Sequence, residues 1–202
     1  IFGNLKKSKG DIFIHGKKAS IKNPIQAMKY GIGFVTEDRK TEGLVLDFSI
    51  KENMFLTNLK AIAKSGFIQP QEEQLHAAKY IDQLNIRCSD AAQAVGSLSG
   101  GNQQKVVIAK WLSTKPDILI LDEPTRGVDI GAKKEIYSIM NQLAEQGVAI
   151  LMISSELTEV LGMADRVMIM HEGRQTAILD NVDLTQETIM HYATGGEEIV
   201  KN

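Results

Sequence analysis

Short, densely apolar runs punctuate this chain at regular intervals. Ile118-Leu119-Ile120-Leu121 and the stretch from Val148 to Ile153 have the composition of strands buried on both faces of a parallel sheet. Between them, Ala132 to Glu145 places Ile136, Ile139, Met140 and Leu143 on one stripe of a helix. Strand, helix and strand joined by short connections predict a crossover unit. Gly100 to Ser113 reads as a helix carrying Val106, Val107, Ile108, Ala109, Trp111 and Leu112 around most of its circumference, so burial is expected.

Toward the N-terminus, Asp11 to Gly16 alternates and closes on glycine, the pattern of a short strand. Pro24 to Tyr30 is helical, and Gly33 to Thr36 is a second strand leading into the charged loop Thr36-Glu37-Asp38-Arg39. From Ile50 to Ala94 the apolar content thins, and Leu75, Ala78, Ile81 and Leu84 recur at helical spacing, which predicts a helical insert rather than more sheet. Val167 to Met170 and Thr176 to Leu179 are closing strands around the turn His171-Glu172-Gly173, and Thr185 to Tyr192 is a last helix with Thr185 and Glu187 suited to its first turn. Ile1-Phe2-Gly3 reads as the end of a helix entering a turn, with more chain expected upstream.

Composition narrows the function classes. With 202 residues, 43% of them hydrophobic and 24% charged, the chain buries one main core and is neither disordered nor fibrous. A net charge of −2 gives no long-range pull toward nucleic acid, and Lys6, Lys7 and Lys9 read as a solvated turn. Cys88 stands alone, which excludes an internal disulfide. No apolar run approaches the roughly 20 residues that cross a bilayer, so a membrane role runs through a partner. His15, His76, His171 and His191 have no metal-collecting spacing, and Cys88 and the methionines read as packing residues.

Two stretches carry chemistry. In Leu98-Ser99-Gly100-Gly101-Asn102-Gln103-Gln104-Lys105, a glycine pair opening a helix offers bare backbone N–H groups to an anion. Twenty residues on, the apolar strand ends in Asp122-Glu123-Pro124, a metal ligand beside a base. Together they point to ATP chemistry.

In this order the motifs resemble the nucleotide-binding domain of an ABC transporter. Ser99 to Gln103 is similar to its signature loop, Ile118 to Glu123 to its Walker B strand, Gly127-Val128-Asp129 to its D-loop, and Ile50 to Ala94 to its helical subdomain. The resemblance implies an α/β fold with the parallel-sheet core of P-loop NTPases and a helical insert, truncated at the N-terminus. One domain would span 1–202, with an α/β core at 1–49 and 96–202 and a helical subdomain at 50–95. It implies Mg²⁺ on Asp122, a base at Glu123, an interface brace at Asp129, and a γ-phosphate of ATP met by Ser99, Gly100, Gly101, Asn102 and Gln103 acting in trans on a nucleotide held by an opposing domain.

Three departures shape the expectation. No Gly-x-x-x-x-Gly-Lys-Ser/Thr loop is present, so the phosphate cradle is missing. Glu37 stands where the family carries the Q-loop Gln, and Ser155, in Ser154-Ser155-Glu156, stands where it carries the switch His. Losing one positioned acid, base or clamp costs ~10²–10⁴-fold, so slow or absent turnover is expected at this domain's own site. The run Leu98 to Leu112, the stretch Glu37 to Lys40 with Gly43-Leu44, and the Ser155 replacement resemble the C-terminal half of the double-length ATPases of bacterial monosaccharide importers. Met170 to Gly173 and Thr185 to Glu187 resemble the ribose-type members.

The resemblance implies a cytoplasmic-face location at the cell membrane. Its implied partners are an N-terminal ATPase half or second copy, transmembrane permease subunits, and indirectly a periplasmic or lipid-anchored sugar-binding protein, with no nucleic acid. Phe48, Ile50, Met54 and Phe55 are either a docking patch for a permease helix or plain subdomain core. Two other functional readings stay open: a non-hydrolysing regulatory module, and a soluble ABC-type ATPase acting on nucleic acid or the ribosome.

Overall fold

The computed structural model describes residues 1–196 and divides into two compact units, 1–153 and 154–202. The last six residues of the expected core segment 96–202 lie outside the described residues.

The first unit opens with the hairpin β1 (Ile12–Ile14) and β2 (Lys17–Ala19), turned by His15 and Gly16 at φ +49° and +73°. Two successive positive φ values match the right-handed twist of the flanking strands. Only the first of these strands is legible from alternation; Lys17-Lys18-Ala19 is recognisable as a strand through its pairing alone. Ile1-Phe2-Gly3 itself has no helical turn. Phe2 is instead buried against Phe34 and edge-on to Trp111, at centroid distances of 5.3 and 5.4 Å.

Helix α1 (Pro24–Lys29) starts where Asn23 Oδ1 accepts from Gln26 N at 2.9 Å and proline occupies the first turn. It leads into β3 (Ile32–Val35), which pairs in parallel with β6 (Ile118–Asp122), which in turn pairs in parallel with β7 (Ala149–Ile153). Between β3 and β6 come α2 (Ile50–Phe55), the two-residue strands β4 (Ala63–Lys64) and β5 (Phe67–Ile68), α3 (Pro70–Gln83) and α4 (Gly100–Leu112). Helix α5 (Ile130–Glu145) joins β6 to β7.

The core is the meeting of α4 with this sheet. Val106, Val107, Leu119, Leu121, Val35 and Ile136 are all completely buried. At about 25 cal/mol per Å² of apolar surface, each such side chain contributes roughly 1.5–3 kcal/mol. Strand β6 sits between two neighbours, as its apolar run predicts. Strand β7 does not share that environment: it lies at the sheet edge, Ala149 and Ile153 are exposed, and the residues between are half-buried. An apolar run therefore marks this strand without revealing that one side lacks a neighbour in the three-stranded sheet.

In the insert, α3 buries Glu73 and Ala77, with Tyr80 half-buried; of the expected stripe Leu84 is buried and Ile81 half-buried, while Leu75 and Ala78 are exposed. Polar anchoring turns the helix. Glu73 pairs with Lys51 at 3.0 Å, and the Tyr80 hydroxyl donates to Leu112 O at 3.2 Å. The β4–β5 hairpin also corrects the expectation of a purely helical insert. Ile50, Met54 and Phe55 are buried core, and of the four candidate docking residues Phe48 alone is exposed, at 44%.

The second unit comprises α6 (Leu157–Met163), the antiparallel pair β8 (Arg166–His171) and β9 (Arg174–Asp180), and α7 (Gln186–Ala193). Val167, Ile169, Ile189 and Tyr192 form its core. Asn181 Nδ2 closes it by donating to Leu161 O and Ala164 O at 2.8 and 2.7 Å.

Candidate functional site

Parallel pairing dictates where the chemistry gathers. Val35 is in register with Leu121, so β3 and β6 end together and the loops leaving them, 36–43 and 123–129, emerge side by side. Crevices at the carboxyl ends of parallel strands are where open α/β sheets bind ligands.

Asp122 ends β6 half-buried, and its carboxyl is pushed above the usual range by burial first, then by the charges of Glu123 and Glu42. Glu123 follows with φ +46°, a left-handed conformation that costs a non-glycine residue about 1–2 kcal/mol. The strained corner is held by Glu123 N donating to Ile153 O at 2.9 Å and by Arg126 N donating to Glu123 O at 3.1 Å. Among the described residues, no group of three or more His, Cys, Asp or Glu side chains is placed to hold a metal unaided.

The N-terminus of α4 is the second part. Ser99 is its exposed N-cap, its hydroxyl accepting from no backbone N–H of the helix, while Gly100 and Gly101 form the first turn. The first N–H groups of a helix have no carbonyl partner within it, which leaves positive potential at this end. Asn102 is held at both ends of its amide: Oδ1 accepts from Arg87 N at 2.9 Å, and Nδ2 donates to Ser99 Oγ at 3.0 Å. That bond uses the hydroxyl as acceptor and leaves its hydrogen available to donate. Gln103 faces the other way, buried, with Nε2 directed at Val95 O and Gly96 O at 3.3 and 3.4 Å. Gly101 is a packing requirement, because a Cβ there would collide with the methyl of Ala132.

Asp129 is the N-cap of α5, its Oδ1 accepting from Ala132 N at 3.0 Å. Glu37 is exposed and ion-paired with Arg126. Ser155 is exposed near the start of the second unit; its neighbour Ser154 bonds Glu159 through its hydroxyl and accepts from Glu156 N at 3.1 Å. The first unit thus brings Glu37, Ser99, Gly100, Asp122, Glu123 and Asp129 onto loops at one end of its sheet and helices.

Two groups escaped the sequence reading. Arg39 donates through Nη1 to Arg126 O at 2.7 Å and through Nη2 to Gly127 O at 3.1 Å. Lys110, buried in α4, bonds Gly43 O, and burial lowers its ammonium to about 8. The alternating charges of Glu37 and Arg39 are visible in the chain, but their partners become visible only with the register of β3 against β6.

The model of the family described as "ABC transporter" matches residues 1–126. The ribose import ATP-binding protein of Halalkalibacterium halodurans is 56% identical over 201 residues, covering 100% of this chain and 40% of that protein. The protein of the same name from Geobacillus kaustophilus is 57% identical over 196 residues, 97% of this chain and 40% of its own length. The chain thus spans about 40% of the length of these curated relatives. Among solved structures, MJ1267, an ATP-binding cassette of an ABC transporter, superposes with a TM-score of 0.77 at 24% identity over 96% of this chain and 77% of that one. The dimeric cassette MJ0796 bound to ADP and Pi superposes with a TM-score of 0.71 at 20% identity, over 88% and 75% respectively.

Proposed function

This chain belongs to the ABC transporter family and has the α/β fold of its ATP-binding cassettes; from that premise we propose that it is the second, degenerate ATPase half of a subunit that energises monosaccharide import. Its own half-site turns over ATP slowly or not at all, and its signature loop completes the site of a partner half. Ribose is the proposed cargo, on the strength of the names of its relatives. The partners are an N-terminal ATPase half or a second copy, permease subunits, and through them a sugar-binding protein. No helix among the described residues is long and apolar enough to cross a membrane, and the proposed place of work is the cytoplasmic face, docked on the permease.

The observation that carries this reading is the contrast between the loop this chain would lend to its partner's site and the residues of its own half-site. The α4 N-terminus is built for an anion, with Ser99 oriented by Asn102 and glycines leaving the backbone approachable. The Glu37 carboxylate, where a neutral amide is usual in the family, is instead engaged by Arg126. Its charge opposes a γ-phosphate in the same half-site.

Within that reading Asp122 would hold Mg²⁺ through water, the cation relieving the crowding of Asp122, Glu123 and Glu42. Bound with ATP, Mg²⁺ supplies charge neutralisation on the phosphate oxygens. Glu123 orients water and accepts its proton where turnover occurs. Ser99 donates its hydroxyl hydrogen, and Gly100 and Gly101 their N–H groups, to the partner's γ-phosphate. Asp129 keeps the first turn of α5 ordered at the interface between the halves.

ATP hydrolysis by the two-half protein with its permease tests this, comparing the unmodified form with Glu123→Gln and Ser99→Arg. Ser99→Arg is expected to abolish turnover while Glu123→Gln leaves most of it. Loss of turnover in Glu123→Gln would show that this half hydrolyses ATP and would overturn the asymmetric reading.

A further inference from the structure

We infer that Arg39 is a positioning residue that latches the loop after β3 to the turn Arg126–Gly127, and so sets the geometry of the α4 N-terminus that the partner half uses. The inference rests on the function proposed above.

The loop carrying Arg39 is stiff. Asp38 Oδ1 accepts from Lys40 N and Thr41 N at 2.9 and 3.3 Å, and Asp38 O accepts from Glu42 N and Gly43 N at 3.0 and 3.2 Å, closing one wide helical turn. Lys110 then ties the end of that turn to the last turn of α4 through Gly43 O. From this anchored base the Arg39 guanidinium reaches two consecutive carbonyls, Arg126 O and Gly127 O. A planar fork with fixed donors can hold two successive carbonyls at once; an ammonium is a point donor and cannot reproduce that geometry.

The contact is reciprocal. While Arg39 holds the backbone of Arg126, the Arg126 side chain returns to Glu37, two residues before Arg39. Side-chain pairing at the surface is weak, so the two backbone bonds carry the directional constraint. Arg39 Nε is buried without a hydrogen-bond partner among the described residues, a cost that two charge-assisted bonds offset.

The neighbouring glycines fit the latch. A Cβ on Gly100 would lie 2.7 Å from Arg39 Nη2 and 3.0 Å from Gly127 O. Guanidinium, D-loop carbonyl and signature helix therefore meet at one point, where an added Cβ would press on the guanidinium and the carbonyl. Asp129 follows Gly127 by two residues and caps α5, so a shift of the turn moves the cap as well. A guanidinium beside a helix N-terminus adds like charge there, which raises the positive potential that an incoming phosphate meets.

The test uses Arg39→Lys and Arg39→Gln. In the two-half protein with its permease, both are expected to lower kcat for ATP by about tenfold or more while KM stays within about twofold, because misplacing a group by about an ångström costs turnover rather than nucleotide binding. Hydrogen exchange on the full chain gives a readout independent of activity: amides of 124–132 and 99–104 are expected to exchange faster in both variants, with 149–153 unchanged. Arg39→Lys keeps the charge and carries the test if Arg39→Gln fails to fold. A kcat within about twofold of the unmodified protein, or exchange in 124–132 unchanged, overturns the latch. Absence of hydrolysis in the unmodified protein sinks the proposed function instead, and the exchange measurement still decides whether Arg39 holds the turn.

Discussion

Lys105, almost completely buried in α4, pairs with the Glu135 carboxylate on α5 and donates to Asn85 O at 2.7 Å, so one ammonium joins the signature helix, the following helix and the end of the insert. Arg87 adds a second contact to Glu135 at 3.1 Å. The Lys105 hydrogen bond holds the Glu135 carboxyl below its usual range. A carboxyl depressed in the folded state stabilises above its unfolded pKa of 4.5 and loses that contribution as pH falls through the lower folded value. Lys105→Met is expected to cost about 2 kcal/mol at pH 7, since it strands Asn85 O and part of a carboxylate. Urea midpoints at pH 7 and pH 4 check this: the loss should shrink at the lower pH, and an equal loss at both removes the ion pair from the account.

Lys110 is lowered too, but there burial disfavours the charged form. Its ammonium titrates near 8 when folded and near 10.5 when unfolded. Between those values the unfolded chain holds a proton that the folded chain has shed, so this residue adds stability as pH rises from about 8 toward 10.5. The expected gain over that window is up to about 3 kcal/mol. Comparing the unmodified chain with Lys110→Met isolates it from other titrating groups. The difference between their denaturation free energies should change by a large part of that amount from pH 7.5 to 10.5, and a flat difference refutes the assignment.

How much of this was legible in the residues follows from what each element depends on. The start of α4 at Gly100, the strand Ile118–Asp122 and the helix that Asp129 caps depend on local pattern, and pattern alone located them. Helix α6, containing Gly162 and no strong apolar period, left no comparable trace. The edge position of β7 and the rotated face of α3 depend on which neighbours are present, and no periodicity encodes that. For the site, Asp122, Glu123, Ser99 and the glycine pair were readable because they sit within motifs. Arg39 and Arg126 were not, because their meeting depends on Val35 and Leu121, far apart in the chain, sharing a register.

Gly101, proposed above to meet a phosphate, is also a packing position. A methyl group there would strike the methyl of Ala132, separating α4 from α5. Overpacking of this kind costs about 1–3 kcal/mol, and Gly101→Ala is expected to fall in that range by chemical denaturation. Ala132→Gly costs about 1 kcal/mol on its own through helix propensity but makes room for the added methyl. The double variant should therefore lose less than the sum of the two single losses. Additive losses would place the clash elsewhere.

Asp122, proposed above to hold Mg²⁺, sits where its charge is costly. Burial and the charges of Glu123 and Glu42 raise its carboxyl above the ordinary value of 3.8. A raised carboxyl keeps its proton in the folded chain at pH values where the unfolded chain has released it, so stability falls as pH rises through that window and the penalty is complete above the folded pKa. Asp122→Asn removes the charge at nearly constant volume and is expected to stabilise the chain by about 1 kcal/mol at pH 7, as neutralising crowded functional groups commonly does. The gain should fade as pH drops toward 3.8 and the unmodified carboxyl protonates. Denaturation midpoints of both forms between pH 7 and 4 give the answer, and an Asn variant less stable at pH 7 would mean that Asp122 accepts hydrogen bonds that outweigh its repulsions.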